Sequence, residues 1–215
     1  MLDLNVLFAE TKDIREYYRE AIRSVYGVYL DEDALQLDSF DGPIGDVLKS
    51  IMKSQSIDWA DIDAKIELFI DELSYAYYNV AGHDAIVMRD GAKQMLSDML
   101  SNGMIVGICT NTPKGIAKVM FDRANIPFDS FKFSSFGGAK KSSADVLSTA
   151  QSLALQVGAE HGKIVLVSAS QDMLLAGSNL NINTIGVYFG KKKLESGLSL
   201  EGCKNVYKHV EKNIR

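Results

Sequence analysis

Apolar positions along the chain change their spacing at about residue 88. Between residues 12 and 83 the spacing is helical almost throughout. Ile14, Tyr17, Tyr18, Ala21, Ile22 and Val25 fall on one face of a first helix. Asp31-Glu32-Asp33 suits the start of a short second one, and Gly42-Pro43 opens a third that runs to about Lys53, since proline suits a first helical turn. A long periodic helix extends from Ile57 to about Val80, carrying Ile62, Ile66, Phe69, Ile70, Leu73 and Tyr77, with Asp58 or a neighbour as its cap.

Beyond residue 88 helices and short apolar runs alternate. The pattern predicts helices over 91–102, 113–124, 143–157 and 172–179, the first ending at the stop signal Asn102-Gly103. Strands are expected at 104–109, 131–133, 164–167 and 184–188. Strands separated by helices of this length form βαβ units, so the expected class is α/β with a Rossmann-like parallel sheet. In such sheets ligands bind at the carboxyl ends of the strands. Those ends carry Asp3, Thr110-Asn111, the Lys140-Lys141 region and Ser168–Asp172, which are distant in sequence and expected to converge.

Composition narrows the class without changing it. The 215 residues are 47% apolar and 24% charged, enough to bury a core without disulfides or structural metal. The formal charge is −5, and Lys191–Lys193 form only a short solvated run, so no nucleic-acid partner is expected. Cys109 lies in the apolar run 104–109 and reads as a buried thiol, which suits a reducing compartment. Neither a membrane-length apolar stretch nor a signal peptide is visible, so no membrane association and a cytoplasmic location are expected. His83, His161 and His209 show no ligand spacing, and Tyr75, Tyr77 and Tyr78 suit helix packing.

The chain resembles the haloacid dehalogenase superfamily, in particular its phosphoglycolate-phosphatase-like members with a helical cap. Asp3-Leu4-Asn5-Val6-Leu7-Phe8-Ala9-Glu10-Thr11 falls in register with the first motif, Asp-x-Asp-Gly-Thr-Leu-x-Asp-Ser. Tyr26-Gly27 matches the pair that closes the first cap helix, and Arg89-Asp90-Gly91 the segment leading out of the cap. Thr110-Asn111 resembles the second motif, Lys141-Ser142-Ser143-Ala144-Asp145 the third with both prolines replaced, and Val167–Asp172 stands at the fourth. The resemblance implies a core of residues 1–11 and 88–215, with a cap of residues 12–87 inserted.

It also implies chemistry. Asp3 is the expected nucleophile, since a carboxylate attacking phosphorus splits one hard step into two through an aspartyl-phosphate. Thr110, with Asn111, is expected to bind the phosphoryl oxygens, and Lys141 (or Lys140, one register away) to add positive charge. Mg²⁺ would be held by Asp3, the backbone carbonyl of Asn5 and a fourth-motif acid, for which Asp172 is the nearest. Gly42 lies where the cap loop reaches the ligand. The implied partner is a small phosphorylated metabolite, bound by a monomer or homodimer.

Departures from the motifs bear on activity. Asn5 stands where the family has its acid/base aspartate, and an amide cannot exchange a catalytic proton near neutral pH. Without a replacement, hydrolysis slows by ~10²–10⁴. Glu10 is acidic but lies too far along the chain to replace it without rearrangement. Ala169 and Met173 align with the two fourth-motif acids, and Asp172 is one position out of register. Three readings stay open: a phosphatase of reduced or altered activity, a non-catalytic relative that binds a ligand or partner, and a metal-independent enzyme like the true dehalogenases, whose fourth motif is also serine-rich. The residues also have plainer roles. Asp3 suits a surface acid near a terminus, Thr110 a strand end, the lysines a solvated pair, and Asp172 a helix cap. Only Met1 and Leu2 precede Asp3, so its strand is either short or begins upstream.

Overall fold

The computed structural model describes the chain except for residues 11–12, 32, 36–41, 54, 56, 81–85, 191–193, 195–197 and 215. Its framework is a parallel sheet. Strands β3 (Ile108–Pro113) and β4 (Ser134–Gly137) pair in parallel, as do β5 (Val165–Ser168), β6 (Asn183–Tyr188) and β7 (Leu198–Glu201). Met1 to Asp3 fill the gap between β3 and β5. Leu2 donates to Gly107 O (2.8 Å) and accepts from the Cys109 N–H (2.9 Å), while Asp3 donates to Val167 O (2.9 Å). The short central strand therefore exists, and it ends at Asp3.

Side chains alternate across the sheet as a two-residue period requires. Ile108, Val165 and Val167 join the larger core, whereas Cys109 and Leu166 join a smaller one on the opposite face. Helices α7 (Ser143–Gln156) and α8 (Gln171–Asn179) pack on the smaller-core face. A capping box of Ser142 and Asp145 starts α7, and Ser170, not Asp172, caps α8 through the Met173 N–H. Helices α5 (Ala92–Ser101), α6 (Lys114–Arg123) and α9 (Val206–Ile214) contribute to the larger core.

After Asp3 the chain makes one helical turn, α1 (Leu4–Leu7), and then β1 (Phe8–Glu10), which pairs antiparallel with β2 (Ile86–Met88). Between these two strands lie α2 (Ile14–Tyr26), α3 (Ile44–Met52) and α4 (Trp59–Val80), at the places the spacing predicts. Asp13 caps α2 by accepting from the Arg15 N–H, Gly27 closes it at φ 67°, and Asp58 accepts from the Ala60 N–H at the start of α4. Tyr17, Tyr18, Ala21 and Ile22 bury the face of α2 that meets α4.

The helical part rests directly on the sheet part. A Cβ on Gly115 of α6 would lie 2.4 Å from the Ser74 hydroxyl on α4, and one on Gly45 of α3 would lie 2.8 Å from Ala139 O.

Four expectations need correction. The strand expected at 131–133 lies at 134–137, because Phe131 and Phe133 turn into the two cores on either side while Ser134–Gly137 pairs with β3. The strand expected at 104–109 begins only at Ile108 and runs on through Pro113. Tyr75 and Tyr78 are exposed, and only Tyr77 is packed. Asp172 does not cap α8.

Candidate active site

A cavity of about 370 Å³ opens where the sheet's carboxyl ends meet the helical part. Asp3, Asn5, Thr110, Asn111 and Gly42 all border it. Asp41, beside Gly42, lies outside the described residues. Neither Lys140, Lys141 nor Asp172 belongs to the lining. Lys141 is exposed and its Nζ donates to Phe136 O at 3.3 Å.

Asp3 is 1% exposed, which rules out a surface acid. Its Oδ2 accepts from the Ser168 hydroxyl at 2.7 Å. The Ser168 oxygen in turn accepts from the Ser170 N–H at 3.0 Å, so its own proton is directed at the carboxylate. Thr110, on β3, accepts from the Thr112 N–H (3.2 Å) and hydrogen-bonds the Thr112 hydroxyl (3.1 Å). Asn111 donates to Ser143 Oγ at 2.7 Å and to Asp172 Oδ2 at 3.4 Å, and Ser143 also donates to Asp172. Asp172 is thereby engaged in tying β3, α7 and α8 together. Gly137 makes this geometry possible, because a Cβ there would sit 1.8 Å from Asn111 O.

Three residues, Ser168 behind Asp3 and Glu10 and Arg89 in the lining, carry chemistry that the linear sequence does not reveal. Ser168 is visible in the fourth-motif region, but its bond to Asp3 depends on the short strand docking beside β5. Glu10 is brought to the cavity by the β1–β2 pairing, and both its oxygens lie 3.0 Å from the Tyr77 hydroxyl on α4. Burial pushes Glu10 up from 4.5 to about 7, partly offset by the Tyr77 hydrogen bond. Arg89 follows β2, and its Nε donates to the carbonyls of Asn5 and Phe8, both at 2.9 Å. Its guanidinium carbon lies 3.9 Å from the centre of the Phe189 ring. Burial lowers the Arg89 pKa from its ordinary value, though a guanidinium stays charged in proteins.

These residues do not fit Mg²⁺, which asks for near-octahedral oxygen ligation. The Asn5 carbonyl already accepts from a cation, and the Asp172 carboxylate faces Ser143 and Asn111. Ala169 and Met173 offer no carboxylate where the fourth-motif acids align. Among the described residues, no group of three or more His, Cys, Asp or Glu could hold a metal ion.

No protein-family model matches the sequence, and no curated protein does. Solved structures do match over nearly the whole chain. A hydrolase from Pseudomonas syringae is 14% identical, with a TM-score of 0.74 over 100% of this chain and 98% of its own. A predicted phosphoglycolate phosphatase from Haemophilus somnus is 14% identical, with a TM-score of 0.71 over 97% and 95%. A hydrolase of the haloacid dehalogenase-like family from Streptococcus pneumoniae is 15% identical, with a TM-score of 0.66 over 97% and 95%. The fold is the haloacid dehalogenase-like fold. Within it, the departures at Asn5, Ala169 and Met173 are accompanied by bonds from Ser168 and Arg89 to Asp3 and Asn5. Among the described residues no helix is long and apolar enough to cross a membrane.

Proposed function

We propose that the chain is a phosphatase-type hydrolase of a small phosphorylated metabolite, with residues 1–11 and 88–215 as its core, residues 12–87 as its cap and Asp3 as nucleophile. The observation that carries this reading is the buried Asp3 carboxylate bordering a cavity beside Thr110, with one oxygen oriented by Ser168. Asp3 attacks phosphorus, the ester oxygen departs with the substrate's organic part, and an aspartyl-phosphate remains. Thr110 and backbone amides near it donate to the phosphoryl oxygens.

Asn5 cannot protonate the leaving oxygen. Glu10 borders the same cavity and holds its proton up to about pH 7, so it has the chemistry to give that proton and later to take one from the attacking water. Ile14, Tyr18, Ile116 and Met120 also line the cavity, which suits a substrate whose organic part is apolar or aromatic. Lys141 would have to leave Phe136 O to reach a phosphate. The predicted phosphoglycolate phosphatase among the structural neighbours agrees with a phosphorylated substrate.

Hydrolysis of p-nitrophenyl phosphate and a panel of phosphorylated metabolites tests the reading, with Asp3→Asn as control. Turnover abolished by Asp3→Asn supports it; equal turnover in the variant sinks Asp3 as nucleophile. A second reading is favoured by the Ser168–Asp3 hydrogen bond: metal-independent displacement of halide from a 2-haloacid, with Asp3 attacking carbon. Halide release that exceeds phosphate-ester turnover decides for it.

A further inference from the structure

We propose that Arg89 supplies the fixed positive charge of this site, so that a phosphoryl group is bound by its guanidinium without a divalent cation. The inference rests on the phosphatase-type reading above and deepens it by naming how the substrate's anionic group is held.

The geometry begins at the turn formed by Leu4–Leu7. A helix leaves its last carbonyls without internal partners. Here Arg89 takes two carbonyls of this region, donating its Nε–H to Asn5 O and Phe8 O at 2.9 Å each, while its own backbone N–H donates to Leu7 O at 2.9 Å. One of these, the Asn5 carbonyl, is the oxygen that the family resemblance assigns to Mg²⁺. A cation bound there would meet a guanidinium already donating to the same oxygen, and the two charges repel. Arg89 therefore brings its positive charge to the carbonyl that a metal would need.

The rest of the side chain is held ready for an anion. Phe189 covers one face of the guanidinium at 3.9 Å, which fixes its plane. Arginine carries five N–H donors, and only the Nε–H has partners among the described residues, leaving four on the two terminal nitrogens. That fork matches two oxygens of a phosphoryl group, and bonds of this charge-assisted kind are roughly twice as strong as neutral ones. Among the described residues lining the cavity, Arg89 is the one cation, and it shares that lining with Asp3 and Thr110. A nucleophilic Asp3 must act as an anion, and a second anion approaches it only where a positive charge offsets the repulsion.

The test uses the full chain, with inorganic phosphate as probe and acetate as the competing oxyanion. Isothermal titration is run in EDTA and again with excess Mg²⁺. Phosphate is expected to bind with the same affinity in both, and Arg89→Met to weaken it by about tenfold or more. Because Arg89 also braces the turn after Asp3, a variant that fails to fold is replaced by a measurement on the unaltered protein. Modification of Arg89 by phenylglyoxal, mapped by mass spectrometry, is expected to slow when phosphate is present.

Phosphate binding that requires Mg²⁺, or labelling of Arg89 indifferent to phosphate, overturns the proposal. Preference for acetate overturns the assignment to a phosphoryl group. The hydrolase reading fails separately: equal turnover by Asp3→Asn removes it while leaving these binding results standing, whereas turnover that needs both Asp3 and Mg²⁺ keeps that reading and removes this proposal.

Discussion

The hydroxyl of Ser168 donates to Oδ2 of Asp3 at 2.7 Å, in the buried seam between the short central strand and β5. With the Ser170 N–H fixing the hydroxyl from behind, this bond orients the Asp3 carboxyl group. Ser168→Ala removes a buried hydrogen bond to the Asp3 carboxyl group. Turnover is expected to fall by about tenfold or more, and unfolding free energy by ~1–3 kcal/mol. Steady-state kinetics and urea denaturation of the variant check both.

Glu10 gives the site a pH dependence. As general acid it must hold its proton for the first step, so kcat/KM is expected to fall above about pH 7. Tyr77 stabilises the ionised form, so Tyr77→Phe shifts that limb to higher pH, while Glu10→Gln removes the limb along with most activity. A limb unmoved by either substitution would remove Glu10 from the proton transfers.

The same raised value has a consequence for stability. Below pH 4.5 the folded and unfolded chains both hold the Glu10 proton; between 4.5 and about 7 the unfolded chain loses it while the folded chain keeps it. The folded state then binds more protons, so the contribution of this group to stability falls as pH rises through that window. Comparing urea midpoints at pH 4.5 and 7.5 for the protein and for Glu10→Gln isolates the effect: the variant is expected to lose less.

Asp172 bridges Ser143 and Asn111 at the surface and is not part of the cavity lining. Asp172→Ala is expected to cost at most ~1 kcal/mol of stability and to leave any response to Mg²⁺ unaltered. A large, metal-dependent loss of activity would return Asp172 to the role of ligand. Gly137→Ala, in contrast, drives a methyl group against the Asn111 backbone 1.8 Å away. It is expected to destabilise the fold by ~1–3 kcal/mol or more, read from the thermal midpoint.

Much of this arrangement is legible in the linear sequence where a periodic signal is long enough. The 59–80 helix repeats its apolar face over several turns, and the buried runs around Val165 and Ile185 are bounded by helices, so both are read within a few residues. The turn Leu4–Leu7 is too short to show a period, and β1, β2 and β7 have only three or four residues each. Asp3, Asn5, Thr110, Asn111 and Gly42 could be matched to motifs from the residues beside them in sequence, and all five border the cavity. Arg89 and Glu10 could not. Nothing beside Arg89 in sequence indicates that its Nε reaches Asn5 and Phe8, and Glu10 reaches the cavity only through a pairing between strands 76 residues apart, Glu10 opposite Ile86.

The most direct measurement is acid-quenched mass spectrometry of the protein mixed with a turned-over phosphate ester in EDTA. A phosphoryl adduct on the peptide bearing Asp3, absent from Asp3→Asn and formed without added metal, is the predicted result. Turnover with no adduct on Asp3, or an adduct that forms only after Mg²⁺ is restored, would contradict a metal-free Asp3 nucleophile served by Arg89.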